Sequence, residues 1–409
     1  MIHLHSLKNL PTWRRNLFVL WFGVFMTGMG LSEVLPFLSL YIDELGTFTK
    51  SSLTIYSSLV FSAAFLVMAL VSPLWGRLAD KKGRKLMLLR ASFGMAVVFF
   101  LMGFVTNVWQ LMALRALQGA FGGFISNANA LIAVQAPKNR AGQALSILVT
   151  GSTAGTLLGP LLGGVLASVF GYRFSFHITG VILFVVFLLT FFFVKEDVST
   201  FRLAADQQKQ ATEPTKNLQT VIQNRFVLFL LLTTLSVQIV NLAINPILSL
   251  FVKELITTGG NITLMAGFVA AMPGISTIIA APTFGKLGDR YGTTNILFFG
   301  FAFACIIFFL TGFVHSITGL LLLRFLTGIS DAALIPSIQT LLTKETPQAD
   351  TSLIFSYNQS FQSIGSVMGP LAGGVLANLF DYNGIFFFSS ILMLLNLVSF
   401  YVTRKRQAH

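Results

Sequence analysis

The sequence predicts an all-α integral membrane protein: twelve transmembrane helices arranged as two pseudo-symmetric bundles of six. Three observations lead there. Of 409 residues, 55% are hydrophobic and 10% charged, against about 25% charged in an ordinary soluble domain, so lipid rather than water is the main solvent. Predominantly apolar stretches of about 20 residues, the length a helix needs to cross a ~30 Å hydrocarbon core, recur twelve times. The chain also matches itself, in order, at an offset of about 210 residues.

The apolar stretches lie near 17–41, 52–75, 86–106, 109–133, 143–168 and 174–194, then near 225–251, 264–284, 294–314, 317–341, 353–377 and 384–402. Ahead of them, residues 1–16 form a polar, basic arm. No short apolar region there runs to a small-residue cleavage site, so no removable signal peptide is expected and the first span stays as an anchor. Leu4, Leu7 and Leu10 are placed to line one side of a short interfacial helix. Residues 195–224, with Asp206-Gln207-Gln208-Lys209-Gln210, read as a cytoplasmic linker. The expected organisation is arm 1–16, bundle 17–194, linker 195–224, bundle 225–402 and tail 403–409. Parallel six-helix repeats joined in this way can rock about a central site.

A net charge of +13 suggests nucleic acid in a soluble protein, but its placement excludes that reading here. With the N-terminus inside, all 27 Lys and Arg fall on cytoplasmic segments or cytoplasmic span ends except Lys50, Arg173, Lys253, Arg115 and Arg324. The bias places both termini in the cytoplasm of a multi-pass cell-membrane protein. The lone Cys305 lies in an apolar span, which excludes a disulfide within the chain and argues against zinc. It reads as lipid-facing or as a packing residue.

The internal repeat is residue-specific. Pro36-Phe37-Leu38-Ser39-Leu40 returns as Pro246-Ile247-Leu248-Ser249-Leu250, Gly76-Arg77-Leu78-Ala79-Asp80 as Gly285-Lys286-Leu287-Gly288-Asp289, Arg115 as Arg324 and Gly119 as Gly328. Pro137 pairs with Pro347, and Gly159-Pro160-Leu161-Leu162-Gly163-Gly164 with Gly369-Pro370-Leu371-Ala372-Gly373-Gly374.

Between the second and third spans the chain reads GRLADKKGRK, from Gly76 to Lys85, and the second half carries the shorter GKLGDRYG from Gly285 to Gly292. This resembles the signature loop of the major facilitator superfamily. Leu114-Arg115 with Gln118-Gly119 resembles that family's fourth-helix motif, and Gly155 with Gly159-Pro160 and Gly163-Gly164 resembles its antiporter motif. The closest likeness is to the drug:proton antiporter branch of bacterial multidrug efflux proteins, supported by the runs Lys85–Arg90 and Phe355–Phe361. The resemblance implies a major facilitator fold, with helices one, four, seven and ten around a central cavity, and a gate at Gly76, Asp80, Arg84, Gly285 and Asp289. Physically, the glycines permit tight turns and the basic residues face the anionic leaflet. Asp80 is suited to the positive end of a helix in the opposite half, or to local pairing with a neighbouring cation. Small residues four apart at Gly151, Gly155, Gly159 and Gly163, repeated at Gly365, Gly369 and Gly373, let another helix approach closely.

Charges inside the hydrocarbon region cost at least ~2.5 kcal/mol each on insertion scales, so those present are functional candidates. Arg115 and Arg324 lie roughly 10 Å deep, Glu33 about 12 Å and Asp331 about 21 Å. Burial disfavours a charged carboxylate, so such a group can load and release a proton. Asp331, Glu33, Arg115 and Arg324 are therefore the expected proton-coupling set, with a structural ion pair holding bundle helices together as the competing reading of Asp331 on the tenth span. Glu33 departs from the family pattern, which has an apolar or small residue there. It serves as a second proton site, a drug contact or an accessory group.

Asn127, Asn129, Asn241, Asn245, Gln339, Tyr357, Asn358 and Phe361 are the expected substrate-binding residues, with interhelical hydrogen bonding the alternative for each. His177 and His315 fall at the outer edges. No Walker loop, metal-ligand cluster or catalytic triad is present, so no cofactor, no metal and no enzymatic activity are expected. The reading is a monomeric exporter of amphipathic small molecules driven by protons in the lipid bilayer. Competing readings are an exporter of one metabolite, sugar or lipid, sodium coupling, or a non-transporting sensor.

Overall fold

The computed structural model describes residues 11–137, 140–196, 224–256, 260–346 and 351–407, and all regular structure there is helical. Expected spans and helices do not correspond one to one. The first span is a broken pair. Helix α1 (Thr12–Ser32) ends where Glu33 N–H still reaches Met29 O at 2.8 Å, and α2 (Leu38–Glu44) restarts beyond Pro36. Proline has no N–H to give and disfavours helical geometry in the residue before it. After α3 (Lys50–Lys82) and α4 (Arg84–Met102), the fourth span is broken too, into α5 (Val108–Phe121) and α6 (Phe124–Gln135). The break is Gly122-Gly123, with Gly123 at φ 101°, where a Cβ is strained.

Helices α7 (Ala141–Phe170) and α8 (Tyr172–Phe193) complete the first half. The second half repeats the first break, with α9 (Arg225–Ala243) stopping ahead of Pro246 and α10 (Leu248–Leu255) following it. It then runs through α11 (Ile262–Tyr291), α12 (Thr293–Thr311) and α13 (Ile317–Lys344). Helix α14 (Thr351–Gln407) covers the last two expected spans and breaks at Phe380 and Asp381.

Among the described residues, nine helices are long and apolar enough to cross a membrane. The shortfall from twelve has three local causes. Arg14, Arg15 and Asn16 dilute α1, the Gly122-Gly123 break shortens α5 and α6, and α14 counts once for two passes.

The signature segments differ from the expected loops. Gly76 lies inside α3 and Gly285 inside α11, so helix runs on into both motifs, as far as Lys82 and Tyr291. The turns are single glycines, Gly83 at φ 96° and Gly292 at φ 90°.

The described residues pack as two compact units. One holds those up to Leu35 and from Ala63 to 196; the other holds Pro36–Ser62 and those from 224 onward. In the first, α1 lies along α7 and α4 along α8, over a core that includes Leu20, Val24, Leu88, Phe124, Leu131 and Leu148. The glycine stripe makes the α1–α7 seam. A Cβ on Gly155 would stand 2.0 Å from Phe25 O, and one on Gly163 would stand 2.1 Å from Glu33 O. In the second unit α9 lies along α14, and a Cβ on Gly373 would stand 1.9 Å from Ala243 O. The duplicated Gly119 and Gly328 act alike, against Ala64 O of α3 at 2.0 Å and Pro273 O of α11 at 1.9 Å. What the two halves repeat is backbone approach, because Cα-to-backbone packing is what helix association in lipid exploits.

Candidate functional site

The candidate residues are distributed over both units. In the first, Glu33 follows the end of α1 with 0% exposure. The Thr179 hydroxyl of α8 is in hydrogen-bond contact with its Oε1, while its Oε2 is buried without a partner. Gly163 of α7 presses on its backbone. Glu33 is thus enclosed by α1, α7 and α8. Arg115 of α5 is buried, 3% exposed, and its Nη1 donates to Gln118 Oε1 at 2.7 Å, one turn along the same helix.

Asn127 of α6 is engaged by its surroundings. Its Nδ2 donates to Gly123 O at 2.7 Å, and its Oδ1 accepts from Arg84 Nη1 at 3.4 Å. Asn129, one residue past Ala128 on the same helix, has a buried Oδ1 with no protein partner. Arg84 thereby joins the signature segment to the fourth span. Gly76 has open space around its Cβ position, as has Gly285 in the second unit. Asp80 lies on α3, and its side chain is outside the described residues. Asp289 is exposed at the end of α11.

In the second unit, Asp331 stands midway along α13 and is partly exposed. Asn241 of α9 donates to its Oδ1 at 3.2 Å. Among the described residues Asp331 forms no ion pair, although it feels the charge of Arg324 two turns away on the same helix. Arg324 is 7% exposed and its Nε has no hydrogen-bond partner. Asn358 is buried and accepts from Thr234 of α9 at 2.7 Å. Tyr357, Phe361 and Asn245 are partly exposed, and Gln339 is exposed. The structure therefore brings Asp331 together with Asn241, ties Asn127 and Asn358 to neighbouring helices, and leaves Asn245, Gln339, Tyr357 and Phe361 with accessible surface.

Three groups were missed in the sequence. Arg90 lies inside the third expected span, and its guanidinium reaches the α5 carbonyls at the Gly122-Gly123 break. Its signal was available, since it is a cation within an apolar run. Glu196, read as the start of the linker, accepts from the N–H groups of Arg84 at 2.8 Å and Lys85 at 2.7 Å, so a carboxylate caps the N-terminus of α4. Nothing in the sequence pairs these positions.

The third is an ion-pair network inside the second unit. Lys50 Nζ, opening α3, lies 2.7 Å from Glu254 of α10, 2.8 Å from Asp381 and 4.4 Å from the centre of the Tyr382 ring. Asp381, at φ 62°, is the one non-glycine residue with positive φ among those described, and its carboxylate also accepts from Tyr382 N–H at 2.7 Å. Lys253 of α10 pairs with Asp43 of α2 at 2.8 Å. Ser39 is hydrogen-bonded to Pro246 O, and a Cβ on Gly374 would stand 2.1 Å from Ser58 Oγ. His315 lines a cavity of about 270 Å³ beside Glu254 and Asp381. The lysines that broke the charge pattern are therefore those holding this end of the unit together.

The family model described as Major Facilitator Superfamily matches residues 20–259 and 230–409. The chain is 44% identical over 398 residues to "Multidrug resistance protein MdtG" of Dickeya zeae (strain Ech586), covering 97% of this chain and 96% of that one. It is 44% identical over 394 residues to the protein of the same name from Salmonella arizonae, covering 96% of each. Among solved structures, a bacterial homologue of the human lysosomal transporter Spinster, in an inward-facing and occupied conformation, superposes with a TM-score of 0.81 at 13% identity, over 97% of this chain and 98% of that one. The nucleoside transporter NupG superposes with a TM-score of 0.76 at 14% identity, over 97% and 100%.

Proposed function

The chain belongs to the Major Facilitator Superfamily, a multi-pass membrane transporter and not an enzyme, and from that premise we propose that it exports amphipathic compounds in exchange for protons. The name of its 44%-identical relatives supports the substrate class. The observation that carries the coupling is Asp331, a partly exposed carboxylate midway along a membrane-crossing helix, bonded to Asn241 and free of an ion pair among the described residues. A carboxylate so placed can take a proton from one side and yield it to the other. Arg324 and Arg115 supply the fixed positive charge of each unit. The partly exposed Asn241, Asn245, Tyr357 and Phe361, the exposed Gln339 and the unpartnered Asn129 Oδ1 are the proposed substrate contacts, with Asn127 and Asn358 orienting them. Glu33, sealed from solvent, serves as an accessory group rather than the main proton carrier.

We place both termini in the cytoplasm, on the basic-residue distribution, with six spans in each bundle and the monomer as the working unit. On this reading Gly76, Asp80, Arg84, Gly285 and Asp289 gate the cytoplasmic side. The Lys50 network then lies on the outer side and closes it when substrate is admitted from within. A ligand screen tests the substrate class. At least one amphipathic compound from a broad panel is expected to raise the unfolding temperature of the purified chain and to drive proton movement in proteoliposomes. A panel that does neither removes the multidrug reading and favours a transporter of one metabolite.

The outer closure is tested by labelling. In a Cys305→Ser background, Ser58→Cys, buried against Gly374, is expected to react slowly with a membrane-impermeant maleimide. Adding Lys50→Glu turns two attractions into repulsions, and labelling is expected to accelerate about three- to tenfold, the modest scale of exposed ion pairs. An unchanged rate would remove Lys50 from the closure.

A further inference from the structure

We infer that Arg90 is a positioning residue for transport: its guanidinium holds the fourth span broken at Gly122-Gly123 and so fixes the face that α6 presents. A helix interrupted in hydrocarbon leaves carbonyl oxygens that lipid cannot satisfy. The carbonyls at the break are those of Ala120 and Phe121, which end α5, and of Gly122, which follows it. Arg90 Nη1 donates to Ala120 O at 3.3 Å, and its Nη2 donates to Gly122 O and, at 3.5 Å, to Phe121 O. Trp75 of α3 adds its indole N–H to Ala120 O at 2.8 Å, and its ring lies 3.9 Å from the Arg90 guanidinium carbon. A planar fork with several donors, stacked on an aromatic face, fits three carbonyls in a way that a lysine ammonium does not. One turn along α4, Gly94 leaves room for the Phe121 ring, which a Cβ there would meet at 2.1 Å.

The duplicated chain supplies its own control. At the offset relating Arg115 to Arg324, Trp75 corresponds to Phe284 and Arg90 to Phe299. Neither can donate to a carbonyl. The tenth span is correspondingly continuous, with α13 unbroken from Ile317 to Lys344 through the matching region. Guanidinium, indole and break thus occur together in one half and are absent together from the other.

The break has a consequence for the polar residues beyond it. Gly122 and Gly123, at φ/ψ of −57°/174° and 101°/12°, re-aim α6 relative to α5. Asn127 and Asn129 lie on α6, whereas Arg115 and Gln118 lie on α5. If the span straightened, the two sets would turn relative to each other, and Arg84, bonded to Asn127, would lose its partner. Arg90 touches none of these residues by any bond described above. It acts on them through the backbone.

The inference rests on the transport reading for its functional half, and the test separates the two. The full chain carries Cys305→Ser with spin labels at Ala113→Cys on α5 and Ala133→Cys on α6, and the interlabel distance is measured in liposomes. Arg90→Ala is expected to change that distance by several ångströms, a change reversed by tens of millimolar guanidinium but not by methylammonium. Binding of tetraphenylphosphonium, an amphipathic cation used as the probe, is expected to weaken about tenfold in Arg90→Ala and to recover with guanidinium. Arg90→Lys should retain the fold and restore neither readout fully. An unchanged distance overturns the inference, as does a changed distance with unaltered probe binding. A wild-type chain that never binds the probe counts against the substrate class, while the distance still decides whether Arg90 holds the break.

Discussion

Asp331→Asn is expected to abolish substrate-driven proton movement in proteoliposomes, lowering it at least tenfold, to about the leak of empty vesicles. The substitution keeps the shape of the side chain and its bond with Asn241, so the contact between α9 and α13 survives. What is lost is the group that can cycle between charged and neutral forms. Because Arg324 then has no carboxylate on its own helix face, some loss of thermal stability is expected as well, but downhill substrate exchange should persist. That split between retained exchange and lost coupling distinguishes a coupling group from a structural one. Coupled antiport at the normal rate in Asp331→Asn would dismiss the proposed role. Glu33→Gln is the matched comparison. Its carboxyl is enclosed by three helices and bonded to Thr179, so coupling should change far less than in Asp331→Asn.

Gly163→Val is expected to damage folding severely. A Cβ there would stand 2.1 Å from Glu33 O and 2.7 Å from Glu33 C, and these are backbone atoms that no rotamer change can move aside. Overpacking ordinarily costs about 1–3 kcal/mol, and displacing a neighbouring backbone lies at or beyond the upper end of that range. Little folded protein should be recovered in detergent, and what is recovered should unfold well below the parent. Gly76→Ala is the control, because open space surrounds its Cβ position inside a helix, and the substitution should be neutral or slightly stabilising. Equal unfolding temperatures for Gly163→Val and the parent would mean the α1–α7 seam is looser than its geometry indicates.

These two cases mark what a reader of the sequence can and cannot obtain. The Gly151–Gly163 stripe was legible because helical periodicity puts residues four apart on one face, and small residues there have few uses besides close approach. Asp331 and Asn241 were legible as polar residues in apolar runs, and the fold joins them. The breaks in the first, fourth and seventh spans were not legible, because an apolar run stays apolar across a kink. Pro36 and Pro246 mark both the repeat and the breaks, and proline alone does not separate the two. Helix continuing through Gly76 and Gly285 was hidden for the opposite reason: glycine and charge suggest a turn, but the lengths of α3 and α11 carry helix past the apolar region. Glu196 lay beyond reach, since its partners Arg84 and Lys85 are more than a hundred residues distant and are backbone groups without sequence identity.

Asp43 and Lys253 occupy matching positions of the two repeats, 210 residues apart, as the offset relating Pro36 to Pro246 shows, and they meet each other. In an assembly of two identical subunits, a position lying on the two-fold axis meets only its own copy, so a charge there always faces its like. An acid opposite a base at such a position requires two copies that are free to differ, as the two halves of one chain are. The ion pair between α2 and α10 is therefore one that a symmetric dimer of identical repeats could not form at its axis.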